Sequence, residues 1–198
     1  MSGTFYRYLI DTNILVYAHD SSLMVQQTRA IELLSRLQVK GNAAFPAQVL
    51  AEFANVALRK LTPSIDFNII LQQVKAIALS FTVLPLTTEI VIEALLGVDQ
   101  HSFSYYDAQI WAVARIYHIP IVLSEDFNSG ATIRDVTFLN PFDTRIYPPG
   151  SSLTFAKQSA SNRLGSLFPL AITFEDIIVI VVSEKDKTDS CHGHKKRI

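Results

Sequence analysis

Short apolar runs alternate with longer amphipathic segments between residues 5 and 139. The apolar runs have the length and composition of buried strands and lie at residues 5–10, 43–45, 82–84, 121–123 and 136–139. The segments between them carry apolar residues at helical spacing and predict helices at 13–19, 24–38, 47–61, 65–79, 88–98 and 106–118. Strands that alternate with helices predict an α/β fold, in which a parallel sheet is flanked by helices on both faces.

The character of the sequence changes after this alternating region. Residues 141–150 contain Pro141, Pro148, Pro149 and Gly150, which is typical of a chain leaving a compact unit. Residues 151–166 are polar and rich in serine, whereas 177–182 form an unbroken run of isoleucine and valine. We therefore expect one domain over residues 1–145 and an extension over 146–198 that is partly disordered or docks as a strand.

The composition is that of a folded protein with a substantial core, since 49% of the residues are hydrophobic and 18% are charged. The formal net charge of −1 gives no overall attraction for a polyanion, which would have to be held by local basic groups or bound cations. A single cysteine, Cys191, excludes an internal disulfide framework. Residues 1–20 lack a signal-peptide pattern, and no window reaches the roughly 18 uncharged apolar residues of a membrane-spanning helix. These features predict a cytoplasmic protein that does not enter the membrane.

Two acidic residues, Asp11 and Asp126, follow predicted strands closely. In an open parallel sheet, ligands bind beyond the carboxyl ends of the strands, so both side chains are expected at that rim. Taken singly, each has a structural explanation, because aspartate commonly caps helices and occupies turns.

Two further acids, Glu52 and Asp107, lie on the apolar faces of predicted helices. A buried carboxylate without a partner costs several kcal/mol, so each needs a cation or a hydrogen-bond donor. For Glu52 the structural alternative is an ion pair with Arg59 or Arg115. For Asp107 it is a capping box with Ser104 at the start of the helix.

The four acids together predict a cation site if the fold brings them into one cleft. Two carboxylates about 4 Å apart repel by roughly 4 kcal/mol at an effective dielectric constant near 20. Such a cluster must therefore bind protons or cations, and carboxylate oxygens suit Mg²⁺ or Mn²⁺. Paired ions of this kind activate water for the displacement of a phosphodiester.

An ordered set of motifs resembles the PIN-domain ribonucleases, and within them the VapC-type toxins of toxin–antitoxin pairs. The motifs are Leu-Ile-Asp-Thr-Asn at residues 9–13, Gln-Val-Leu-Ala-Glu-Phe at 48–53, Ser-Tyr-Tyr-Asp-Ala at 104–108, Leu-Ser-Glu-Asp-Phe at 123–127 and Leu-Asn-Pro-Phe at 139–142. The resemblance covers residues 8–142 and implies a PIN-like sheet between helices. The extension has no counterpart in that family.

The resemblance also implies a function and a set of roles. It implies an endoribonuclease that depends on Mg²⁺ or Mn²⁺, cleaves RNA, forms a homodimer and is inhibited by a cognate antitoxin lying along the helices predicted at 47–61 and 65–79. Carried over by position, the metal-binding and catalytic acids are Asp11, Glu52, Asp107 and Asp126, and the supporting residues are Asn13, Ser124 and Asn128.

Two alternatives to a nuclease remain open. The first is a catalytically silent partner-binding module with the same fold, or a toxin disabled by its extension. The second is a haloacid-dehalogenase-like phosphatase, which also has an aspartate after its first strand. That family requires a second aspartate two positions later, where this chain has Asn13.

Overall fold

The computed structural model describes residues 5–59 and 65–143. Six strands and six helices occupy these residues, in the order β1 (Tyr8–Ile10), α1 (Thr12–His19), α2 (Met24–Lys40), β2 (Ala43–Pro46), α3 (Ala47–Arg59), α4 (Phe67–Ser80), β3 (Thr82–Leu84), α5 (Thr88–His101), α6 (Tyr105–Ile116), β4 (Ile121–Leu123), β5 (Thr132–Ile133) and β6 (Val136–Leu139). The predicted alternation of strands and helices is confirmed.

The six strands form one sheet in the order β3-β2-β1-β4-β6-β5. The five predicted strands pair in parallel, as the alternating pattern requires. The strand β5 was not predicted, and it pairs with β6 in the antiparallel direction. The sheet is therefore mixed and mostly parallel, with a two-residue antiparallel strand at one edge.

Helices cover this sheet in two groups. The chain moves from β1 to β3 in one direction along the sheet and then crosses back to β4, and right-handed crossovers place α1–α4 and α5–α6 on opposite faces. The helix contacts agree, because α1 packs on α2 and α3, α3 packs on α4, and α5 packs on α6. The core lies between these layers, and its largest buried side chains include Trp111, Phe45, Phe53 and Phe138.

The α5–α6 pair packs closely because a glycine faces the tryptophan. A Cβ atom placed on Gly97 would lie 2.8 Å from two ring carbons of Trp111. The Trp111 ring is 1% exposed, and its Nε1–H donates to the carbonyl oxygen of Ile133 at 3.4 Å. This contact fixes α6, and with it Asp107, against the rest of the domain.

The predicted extension lies outside the described residues, as do residues 60 and 61 at the end of the third predicted helix. Among the described helices, none combines the length and hydropathy needed to cross a bilayer.

Candidate active site

The ends of β1 and β4 define the position of the candidate site. The two strands pair in parallel with Ile10 opposite Leu123. The N–H of Asp11 donates to the carbonyl oxygen of Leu123 at 3.1 Å, and the N–H of Ser124 donates to that of Leu139 at 3.0 Å. Because β1 leads to β2 on one side and β4 to β6 on the other, the chain reverses direction here. Ligands bind at such switch points in open α/β sheets.

Asp11 is a buried carboxylate, 3% exposed, and it is also the N-cap of α1. Its Oδ1 accepts from the N–H of Thr12 at 2.6 Å, and its Oδ2 accepts from the hydroxyl of Ser124. Burial raises the pKa of Asp11 to about 7. The hydrogen bonds from Ser124 and Thr12 lower it, and the nearby charges of Asp126 and Asp107 raise it further. Capping and a role in the site are therefore compatible for this residue.

Asn13 joins the acids of both strand ends through its amide. Its Nδ2 donates to Asp11 Oδ2 at 3.2 Å, to Ser124 Oγ at 3.1 Å and to Asp126 Oδ2 at 3.2 Å. These acceptors determine which amide atom is nitrogen. The opposite atom, Oδ1, is buried without a hydrogen-bond partner. A buried amide oxygen without a donor is a group that a hard cation or its bound water can satisfy.

Glu52, in the second turn of α3, reaches the same region and is half-buried. The hydroxyl of Thr12 donates to Glu52 Oε2 at 2.7 Å, and Nε2 of Gln48 donates to Oε1 at 3.0 Å. Each carboxylate oxygen therefore has one neutral donor. This arrangement links α3 to the start of α1.

The alternative ion pair of Glu52 is not formed in the part of the chain that the structure describes. Arg115 binds Glu93 on α5 and lies over the ring of Trp111, 5.1 Å from its centroid. No ion pair joins Arg59 to Glu52 there either. Glu52 thus lacks a cationic partner among the described residues.

Ser104 caps α6 and binds Asp107, as the capping-box-like spacing predicts, but the Asp107 carboxylate accepts from the Ser104 hydroxyl, whereas in a full capping box it would accept from the Ser104 N–H. The Ser104 hydroxyl donates to Asp107 Oδ2 at 2.7 Å, and its oxygen accepts from the N–H of Asp107 at 3.3 Å. Burial raises the pKa of Asp107; the Ser104 hydrogen bond lowers it, while the charges of Asp126 and Glu52 raise it. The cap therefore orients a carboxylate that interacts with two other acids.

Asp126 is exposed and lies in the turn after β4. Its N–H donates to Ser124 Oγ at 3.1 Å, so the Ser124 hydroxyl links Asp126 to Asp11. Asn128 is also exposed, and no hydrogen bond joins its side chain to the acids in the described structure. The structure thus brings Asn13 and Ser124 between the acids, whereas the role of Asn128 stays a prediction.

The four carboxylates form one electrostatically coupled group, because the charges of Asp126 and Asp107 act on Asp11, and those of Asp126 and Glu52 act on Asp107. This donor set, with the unpartnered Asn13 Oδ1, suits a divalent cation. Within residues 5–59 and 65–143, however, no three such side chains are arranged so that they could already hold an ion.

The sequence did not indicate the donors Thr12 and Gln48, or the hydrogen bond from the Tyr17 hydroxyl to Glu125 beside the site. Burial and this hydrogen bond raise the pKa of Tyr17 to about 12. The signal for Gln48 was its position one helical turn before Glu52, since side chains four residues apart on a helix are neighbours.

Several solved structures match this chain at low sequence identity. A toxin–antitoxin complex from Klebsiella pneumoniae has a similar fold, at 17% identity and a TM-score of 0.51, covering 68% of this chain and 98% of that one. VapBC2 from Rickettsia felis, bound to a promoter DNA fragment, matches at 15% identity and a TM-score of 0.49, covering 66% of this chain and 96% of that one. The sarcin–ricin loop cleaving toxin VapC20 from Mycobacterium tuberculosis matches at 18% identity and a TM-score of 0.46, covering 58% of this chain and 86% of that one.

The search of curated proteins gave no significant match. The PIN domain model matches residues 8–132 of this chain, which include all four acids and both strand ends of the site. The chain therefore belongs to the PIN domain family.

Proposed function

We propose that this protein is a divalent-metal-dependent endoribonuclease, the toxin of a toxin–antitoxin pair, which hydrolyses RNA phosphodiester bonds with an activated water in the cytoplasm. The observation that carries this proposal is the group of four carboxylates that shared hydrogen-bond donors connect at the switch point of a PIN domain. No described cationic side chain forms an ion pair with these acids. A group of this charge is suited to bind cations rather than RNA directly.

The proposal assigns Asp11, Glu52, Asp107 and Asp126 as ligands of Mg²⁺ or Mn²⁺. When bound, the cation supplies Lewis-acid activation of the phosphoryl oxygen and of the attacking water. The neighbouring protein residues have distinct tasks, because Asn13 and Ser124 hold Asp11 and Asp126 in register and Ser104 orients Asp107. Asn128 is a further supporting candidate.

The burial of Asp11 adds a reason for a cation. A carboxyl group whose pKa is about 7 is partly protonated at neutral pH, and a cation that replaces the proton would stabilise its ionised form. Cation binding at this group should therefore release a fraction of a proton near pH 7.

An antitoxin and a homodimer partner are part of the same proposal. The helical pair α3–α4 exposes the apolar side chains of Leu58, Phe67 and Leu71 to solvent by 43%, 60% and 39%. Large apolar side chains that remain exposed on a helical pair suit contact with a partner protein. The similar solved structure from Klebsiella pneumoniae is itself a toxin–antitoxin complex.

Cleavage of total RNA by the purified protein tests the nuclease directly. We expect cut ends with Mg²⁺ or Mn²⁺ and none with EDTA. Asp126→Asn should lower cleavage at least 100-fold, whereas the matched control Asp99→Asn, which changes an exposed aspartate on α5, should cleave normally. Cleavage that persists in EDTA, or in Asp126→Asn, would exclude the proposed mechanism.

One observation favours the second candidate, a catalytically silent partner-binding module: the acids in the described residues do not yet form an ion cage. A Mn²⁺ titration separates the two functions. Saturable binding that is lost in Glu52→Ala supports the nuclease, and absence of binding at neutral pH supports the silent module.

A further inference from the structure

Gln48 is a buried polar residue in the first turn of α3, 8% exposed, and it was not among the predicted site residues. Its Nε2 donates to Glu52 Oε1 at 3.0 Å and to the carbonyl oxygen of Tyr106 at 3.3 Å. Tyr106 lies in the first turn of α6, directly before Asp107. One amide group therefore contacts both the acid of α3 and the backbone next to the acid of α6.

The orientation of this amide is determined by its partners. Both neighbouring atoms, Glu52 Oε1 and Tyr106 O, are acceptors, so only the NH₂ group of Gln48 can face them. Its Oε1 is left buried without a partner, as is Oδ1 of Asn13. The two amides thus share one pattern: each donates to at least one carboxylate of the site and retains a buried carbonyl oxygen without a partner.

Thr12 completes the restraint on Glu52. The Thr12 hydroxyl donates to Oε2 at 2.7 Å while Gln48 donates to Oε1, so both carboxylate oxygens are held from different sides. A free glutamate side chain samples many rotamers, and fixing it in advance lowers the entropy lost on ligand binding. Of these two donors, Gln48 is the one that also ties Glu52 to α6.

We propose that Gln48 is a positioning residue for the cation site: it holds Glu52 at a fixed distance from Asp107 so that a divalent cation can bind between α3 and α6. This inference deepens the proposed nuclease function and rests on it. Groups that hydrogen-bond to metal-ligating carboxylates typically change metal affinity or activity 10- to 100-fold when they are removed.

Mn²⁺ titration of the full chain carrying Gln48→Met tests the proposal, because methionine has a similar length and volume but lacks the donor. We expect Mn²⁺ to bind 10- to 100-fold more weakly, and RNA cleavage to recover when Mn²⁺ is raised to saturate the variant. Gln48→Asn, which keeps the amide but shortens its reach, should show a similar loss and replaces the methionine variant if that variant does not fold.

The matched control is Gln73→Met on α4. Gln73 is also a buried glutamine, 2% exposed, but its side chain bonds to the buried His19. It should lose stability to a comparable degree and keep the Mn²⁺ affinity of the unmodified chain. Equal affinity in Gln48→Met, or equal loss in both variants, would overturn the positioning role while leaving the nuclease proposal intact. An unmodified chain that neither binds Mn²⁺ nor cleaves RNA would overturn both.

Discussion

At the scale of single residues, the acids were recognisable from sequence but their donors were not. A carboxylate on an apolar helix face or after a strand signals an unusual environment, because burying its charge is costly. Thr12 and Gln48 carry no charge, so no burial cost marks them in the sequence, and the helical spacing of Gln48 from Glu52 is only a weak local signal. Their role depends on Glu52, which lies 40 residues from Thr12 in the chain.

The pKa of Asp11 predicts a stability that depends on pH. The carboxyl group titrates near 3.8 in the unfolded chain and near 7 in the folded protein, so the folded state binds the proton more tightly. The contribution of Asp11 to the free energy of unfolding must therefore fall as pH rises from about 4 to about 7. The difference between these two pKa values corresponds to roughly 4 kcal/mol, of which about 2 to 3 kcal/mol is lost between pH 5 and pH 8.

Asp11→Asn removes the titrating carboxyl group, so its contribution to the pH dependence of the free energy of unfolding should disappear. Urea unfolding in EDTA at pH 5 and pH 8, followed by the fluorescence of the sole tryptophan, Trp111, measures the difference. The unmodified chain should lose roughly 2 kcal/mol more than Asp11→Asn over this range. Asp99→Asn should follow the unmodified chain. Parallel profiles for Asp11→Asn and the unmodified chain would show that Asp11 is not a buried carboxyl group with a raised pKa.

At the scale of elements, length decided what could be predicted. Helices of 12 to 17 residues such as α2 and α6 gave a clear periodic pattern. The strand β5 has only two residues, of which Thr132 is exposed, so neither alternation nor an apolar run marked it. Its existence depends on pairing with β6 rather than on its own sequence.

The Gly97–Trp111 contact gives a prediction about helix packing. In an ordinary helix interior, Gly→Ala stabilises by about 1 kcal/mol through helix propensity. Here the added Cβ would lie 2.8 Å from the buried indole, which also packs against Phe103 and His101. Overpacking of this kind costs about 1 to 3 kcal/mol, so Gly97→Ala should lower the free energy of unfolding despite its better propensity.

The measurement is again urea unfolding, with the Trp111 emission maximum as a report on the ring's surroundings. Ile92→Ala, at a position on α5 that is 56% exposed, serves as the control and should change stability by less than about 0.5 kcal/mol. If Gly97→Ala is more stable than the unmodified chain, the α5–α6 interface accommodates the added methyl group without loss of stability, and the overpacking argument is wrong.

At the scale of the whole molecule, the order of apolar runs and helices was sufficient to predict a mostly parallel sheet covered on both faces. The placement of Asp11 beside Ser124 followed from one general property, that parallel strands end at the same rim. The approach of α3 to α6 did not follow, because it depends on how helices from opposite faces extend beyond the sheet. The contact from Gln48 to Tyr106 spans 58 residues and has no local sequence signal.

The extension gives the last prediction. All six described strands form one sheet within residues 5–143, and the buried core cluster runs from Tyr8 to Phe138. The four acids and their donors lie inside the same limits. A chain ending at residue 145 should therefore remain soluble, unfold cooperatively and bind Mn²⁺ with the affinity of the full chain. Circular dichroism, urea unfolding and Mn²⁺ titration of both chains make the comparison.

A shortened chain that is insoluble would indicate that the apolar run at 177–182 completes the core. If the shortened chain folds but binds Mn²⁺ with a different affinity from the full chain, part of the extension contributes to the cation site.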